Sequence, residues 1–188
     1  MTDSAQPAPV AWADPQRRSD FDRWLVPLAA QHGLRSETLR AASADASFRR
    51  YLRIDANKGP SLVVMDAPPP HEDVRPFVQV AGLIRRAGLH GPQIEACDEA
   101  LGFVLMSDLG DRLYLDALAD CSSAQADRLM RDAVAALVHW QVHVDAQTLP
   151  PYDDALLQRE LALFPQWCVQ AEFGVRWADA QQAQWERL

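Results

Sequence analysis

Lysine is almost missing from this chain. Of 188 residues one is lysine, Lys58, against seventeen arginines. Guanidinium forks suit bidentate contacts to phosphate or carboxylate, although a G+C-rich genome gives the same bias with no function attached. Cysteine is sparse too. Cys97, Cys121 and Cys168 are odd in number, widely spaced and without a C-x-x-C pair, which supports neither a disulfide framework nor a thiolate zinc site. A reducing cytoplasm fits that usage. No apolar stretch approaches membrane-spanning length, and the first ten residues lack the basic-then-apolar order of a signal peptide. Positive charge is in deficit, with a formal net charge of −8. Such a chain repels phosphate backbones unless it segregates a basic face, so nucleic acid is not an expected partner. Internal repeats, low-complexity segments, G-x-S-x-G and G-x-G-x-x-G are all missing.

What is present suffices for a globular core. The chain is 48% hydrophobic and 23% charged, enough for one core or for one small lobe plus part of a second. Residues 1–13 read as a loose leader. Asp14-Pro15 supplies a cap and a first-turn proline, Phe21, Trp24, Leu25 and Leu28 recur at helical spacing, and Gly33 closes the helix. The period then changes. Leu39–Ala42, Phe48–Ile54, Leu62–Met65, Gln93–Cys97 and Phe103–Met106 read as strands, with one helix through Val74, Phe77, Val78, Ala81 and Ile84 after the third. Consecutive strands argue for an antiparallel sheet, and so for an α+β fold rather than a doubly wound one. After Ser107 the chain reads as helical. Leu113–Ala119 is short, Ser122 or Ser123 caps a long helix, and Asp153 or Asp154 caps another carrying Leu156, Leu157, Leu161 and Phe164. The residues around Trp177 and Trp185 read as a last helix.

Two segments invite chemistry. Ser43-Ala44-Asp45-Ala46-Ser47 joins two strands with small and hydroxylic residues, which let backbone N–H groups approach phosphate oxygens. Ser47 can donate, and Arg49 or Arg50 can add charge. Side chains alternate along a strand, so those two arginines face opposite ways. An ordinary hairpin turn uses the same residues. Met106-Ser107-Asp108-Leu109-Gly110 follows a buried strand and offers a flat apolar slot beside backbone donors and acceptors. It reads equally as a loop in which Asp108 or Asp111 caps a helix.

Three stretches together resemble the aminoglycoside phosphotransferase superfamily: residues 44–51 (ADASFRRY), 62–69 (LVVMDAPP) and 103–111 (FVLMSDLGD). Within it they are similar to the branch that phosphorylates N-acetylmuramate and N-acetylglucosamine at the anomeric hydroxyl. Pro150-Pro151-Tyr152-Asp153 and residues 161–167 (LALFPQW) also look like that branch. The resemblance implies a protein-kinase-like small lobe over 14–106 with an extra N-terminal helix, a hinge over 107–112, and the start of a helical second lobe over 113–188. It implies ATP and Mg2+ as cofactors, a small sugar as acceptor, and nucleotide contacts at Ser47, Arg49, Arg50, Val64, Met106, Ser107, Asp108 and Leu109.

Two departures limit it. Kinases place a lysine on the third strand, and here Met65 stands there. Its acidic partner is then open, with Glu72 and Asp73 as candidates that also read as helix caps. The family's H-x-D segment carries an Asn five residues past the Asp. His143-Val144-Asp145 meets Pro150 at that spacing. The catalytic loop and metal-binding segment are therefore expected after Leu188, and no catalytic or metal-binding residue is assigned within the chain. Alone it is expected to be inactive and to associate with itself through apolar helical surface. A non-catalytic nucleotide- or partner-binding module, or a kinase for an aminoglycoside or choline-type alcohol, remains open. His139 and His143 share a helical face, but Trp140 stands where a zinc H-E-x-x-H motif needs glutamate.

Overall fold

The computed structural model describes residues 10–44 and 47–187. Residues 1–9 of the leader, and Asp45-Ala46 in the middle of the candidate phosphate loop, lie outside the described residues. The chain divides into two compact units, Met1–Val144 and Asp145–Leu188.

The first unit opens with helix α1, Pro15–His32. The Gln16 N–H donates to Asp14 Oδ1 at 2.8 Å, and Gly33 at φ 63° turns the chain out of the helix. Five strands follow: β1 (Arg40–Ala44), β2 (Arg50–Ile54), β3 (Leu62–Asp66), β4 (Ile94–Asp98) and β5 (Phe103–Ser107). They form one antiparallel sheet in the order β1-β2-β3-β5-β4. Helix α2, Arg75–Arg86, interrupts the strands after β3. The fold is α+β, a kinase-like small sheet lobe followed by helices.

The sheet buries a different helix on each face, because its side chains alternate. Phe21 and Leu25 of α1 pack against Leu52, Ile54, Val64, Phe103 and Leu105. Met65, Val104 and Met106 point the other way, towards Val74 before α2 and Phe77 and Val78 within it. Each fully buried side chain of this size contributes about 1.5–3 kcal/mol of transfer free energy. One turn admits no side chain: a Cβ on Gly102, at φ 69°, would run into the Ala67 carbonyl. That approach lets the Ala67 N–H donate to the Gly102 carbonyl at 2.9 Å.

β2 begins at Arg50, two residues later than the apolar pattern suggests. Phe48 leaves the ladder to stack on His71, with ring centroids 4.5 Å apart. β1 carries a bulge between Ala41 and Ser43, which the sequence pattern does not disclose.

Two helices complete the unit, α3 (Tyr114–Ala119) and α4 (Ser123–His143). Ser122 and Gln125 form a reciprocal capping box at the start of α4. Near its end, His139 Nε2 lies 2.6 Å from the carbonyl oxygen of Ala87, which follows α2.

The second unit holds α5, Asp154–Leu163, capped when the Leu156 N–H donates to Asp153 Oδ1 at 3.0 Å. The α-helix stops before Phe164, where the chain widens into a π-helical segment, Phe164–Glu172. Pro165 has no N–H to continue the i to i−4 ladder. Helix α6, Asp179–Trp185, follows. Trp185 stacks on Phe164 with centroids 5.4 Å apart, and Trp177 lies 5.6 Å from Trp185.

Candidate functional site: a groove on the α2 face of the sheet

The strand alternation that separates the two cores also builds the site. On β2 and the residue before it, Arg49, Tyr51 and Arg53 share one face, while Arg50 and Leu52 share the other. The first face borders an open groove of about 480 Å3, lined by Tyr51, Val63, Phe77, Met106, Asp108 and Leu113 among others. Its walls are mostly apolar, with carboxylate and guanidinium groups at the edges, as a slot for a flat heterocycle requires.

A guanidinium–carboxylate pair stands near each end of β2 on this face. At the connector after β5, Arg53 Nε donates to Asp108 Oδ2 at 2.5 Å and Nη2 donates to Oδ1 at 3.0 Å. Ser61 Oγ donates to Asp108 Oδ2 at 2.6 Å, and the Gly110 N–H to Oδ1 at 2.8 Å. Burial alone would raise the Asp108 carboxyl. The hydrogen bonds from Arg53, Ser61 and Gly110 outweigh it and hold the group below the ordinary carboxylate range. The connector is thus tied to β2 and to the turn before β3. Asp108 does not cap α3, whose first turn has no side-chain cap.

At the other end, Arg49 Nε donates to Glu72 Oε2 at 2.7 Å, and the Phe48 N–H donates to Glu72 Oε1 at 3.2 Å. The Arg49 hydrogen bond is the main cause that lowers the Glu72 carboxyl from its ordinary value. Ser47 is exposed, and its Oγ accepts the Arg49 N–H at 3.1 Å.

Arg50 and Val64 lie elsewhere. Val64 is fully buried in the α1 core, and Val63 is the β3 residue that borders the groove. Arg50 Nε donates to Asp66 Oδ2 at 2.6 Å, and its guanidinium stacks over the Trp12 ring. Arg17 of α1 donates to Asp66 Oδ1 through Nε at 3.0 Å and through Nη2 at 2.6 Å. Asp66 is buried between two arginines on the face away from the groove. Val64 and Arg50 therefore both lie on the face away from the groove, because adjacent strand residues face opposite sides.

Of the connector residues, Met106, Ser107, Asp108 and Leu109 all border the groove. Ser107 is engaged with Gln93: its N–H donates to the Gln93 carbonyl at 2.9 Å, and its Oγ accepts the Gln93 N–H at 2.9 Å.

The H-x-D triplet is occupied locally. His143 Nδ1 is 2.9 Å from the His139 carbonyl oxygen, and Asp145 Oδ1 accepts the Gln147 N–H at 3.0 Å. Among the described residues, no group of three or more His, Cys, Asp or Glu side chains is arranged to hold a metal ion.

Residues 38–188 match the phosphotransferase enzyme family. The chain belongs to that family. It is 49% identical over 152 residues to an N-acetylmuramate/N-acetylglucosamine kinase of Pseudomonas putida, covering 80% of this chain and 43% of the relative. It is 50% identical over 147 residues to the protein of that name in Pseudomonas aeruginosa, covering 78% and 42%. A Neisseria meningitidis protein of the same name is 35% identical over 173 residues, covering 92% and 50%. The chain spans about half the length, or less, of these relatives.

Sequence reasoning missed Tyr51, Arg53, Val63 and Phe77 in the groove wall. Period two was the available signal: once Met106 and Arg49 are placed in the site, Tyr51 and Arg53 follow on alternate β2 positions, and Val63 follows by pairing with Met106.

Proposed function

We propose that this chain is the nucleotide-holding part of an ATP-dependent phosphotransferase acting on the anomeric hydroxyl of N-acetylmuramate or N-acetylglucosamine. The observation that carries the reading is the groove on the α2 face, with apolar walls from β2, β3 and α2 and the Arg53–Asp108 pair in its lining. The names of the relatives supply the acceptor class.

In this reading the adenine ring enters between Val63, Phe77 and Met106, beside the backbone of residues 107–109. The Arg53–Asp108 pair holds that connector at a fixed height over the ring. The polyphosphate runs towards Ser47 and Arg49. In the reaction the sugar hydroxyl oxygen bonds to the γ-phosphorus, the bond to the β,γ-bridging oxygen breaks, ADP leaves, and a carboxylate takes the hydroxyl proton. Mg2+ would supply neutralisation of phosphate charge there, held by residues outside those described. We assign the proton-accepting carboxylate and the metal ligands to sequence outside Met1–Leu188, since His143 and Asp145 are otherwise engaged. What this chain does is bind and orient the nucleotide. Residues 107–112 act as the hinge between a sheet lobe and a helical lobe, and the protein works in the cytoplasm. Isolated, the chain associates with itself through exposed apolar helical surface.

A second reading has one observation in its favour. Met65, at the position of the usual lysine, is fully buried, as in a nucleotide- or partner-binding module without catalysis. ADP production by the full-length gene product, assayed with N-acetylmuramate, N-acetylglucosamine and an aminoglycoside, separates the readings. Turnover with the two amino sugars alone supports the proposal. Nucleotide binding with no turnover supports the module, and turnover with the aminoglycoside alone moves the acceptor class.

A further inference from the structure

Met65 leaves the α2 face of β3 without a cation. It lies opposite Tyr51 on β2, and Tyr51 in turn shares its face with Arg49 two residues away. A guanidinium therefore stands one strand over from the lysine position, on the same face of the sheet. Arg49 is held there by Glu72, which accepts its Nε at 2.7 Å and also fixes the preceding backbone by accepting the Phe48 N–H. The Phe48–His71 ring stack pins the same two segments together. Glu72 is nearly buried, with its side chain 9% exposed, and the Arg49 side chain keeps 31% of its surface open to solvent. Arg53, the other arginine of this face, has two donors committed to Asp108 at the opposite end.

We infer that Glu72 is a positioning residue that aims the Arg49 guanidinium at the α- and β-phosphates of the bound nucleotide, so that the pair performs from β2 the task a β3 lysine performs elsewhere. The inference rests on the nucleotide reading above and adds to it a named residue for phosphate preference. Arg49 gives charge-assisted hydrogen bonds to the diphosphate. Glu72 takes the Nε edge of the fork and fixes its rotamer, Tyr51 is a second side-chain partner, and about a third of the Arg49 side chain stays open to solvent. Asp73 takes no part: it accepts from Arg75, outside the groove.

The test compares ADP with adenosine, which differ only in the phosphates, by calorimetric titration of the 188-residue chain. Wild type should prefer ADP. Arg49→Ala should lower the ADP affinity by about tenfold or more, with adenosine changed less than twofold. Glu72→Gln should give part of that loss, and Arg49→Lys should restore part of it. A charge swap, Arg49→Glu with Glu72→Arg, controls for folding. It restores the ion pair and the melting temperature but moves the cation, so the ADP preference should stay lost. If both ligands bind and the single variants keep the wild-type ratio, or if the swap regains it, the inference is overturned while the groove reading stands. If wild type binds neither adenosine nor ADP, both are overturned.

Discussion

The sheet region and the helices that follow it are built on opposite terms. Between Phe21 and Met106 sixteen hydrophobic residues are buried, from both helix faces and every central strand. Beyond Met106 no described residue is buried. In α4, Met130, Val134, Leu137, Val138 and Val142 are all exposed, and in the second unit so are Leu157, Leu161, Phe164 and Trp167. Both stretches carry apolar residues at a period their secondary structure can use. In one, the pattern has met its complement within the chain. In the other it has formed helices with good caps, such as the Ser122–Gln125 box, and apolar surface open to solvent. Local capping and periodicity are enough to specify a helix, and only a facing surface turns its apolar stripe into stability.

The largest expected effect breaks the sheet region. Phe21→Ala removes a fully buried ring set edge-on to Phe103, with centroids 5.5 Å apart, and should cost about 4 kcal/mol in urea unfolding. Asp66→Ala comes next. It leaves Arg17 and Arg50 facing a buried gap, and about 3 kcal/mol should be lost. A loss below about 1 kcal/mol in either would mean that the two-sided core is not what holds this region.

Acid should sharpen the comparison further. The Asp108 carboxyl is held below its ordinary value, so its contribution to stability is complete above about pH 3.9 and is lost as pH falls through the lowered folded value. The stability gap between wild type and Asp108→Asn should therefore narrow below pH 4. A constant gap down to pH 2 would contradict the pairing with Arg53.

At the small end, Val134→Ala in α4 is expected to change stability by no more than about 0.5 kcal/mol, since Val134 is already 58% exposed. Replacing Val138 and Val142 with lysine should reduce self-association in sedimentation velocity and leave the sheet region's melting unchanged. Unchanged association would place the contact elsewhere.

Much of this was legible before any coordinates. The α1 caps, the succession of strands along the chain and the position of α2 follow from turn residues and periodicity, which act locally; the placing of β5 between β3 and β4 does not. Facing was less legible. The sequence points to Val64 rather than Val63 as a nucleotide contact, because an unbroken apolar run such as Leu62–Met65 gives no alternation from which to read a face. Arg49 and Arg50 are expected on opposite faces, but which of them stands on the α2 side is not legible, because Asp66, the partner of Arg50, carries no signal in sequence. Glu72 was one of two candidates, and only the 2.7 Å contact with Arg49 distinguishes it from Asp73. The π-helical stretch could not be anticipated beyond the proline that begins it.

The central claim is that the α2-facing groove holds the nucleotide. Ala42 lines it from the edge strand β1, where a larger side chain can enter the groove without displacing the core. Calorimetric titration of ATP into wild type and Ala42→Trp tests the claim directly. The account predicts at least a tenfold weaker Kd for the variant, with its thermal melt unchanged. Equal affinity in the two proteins would contradict it.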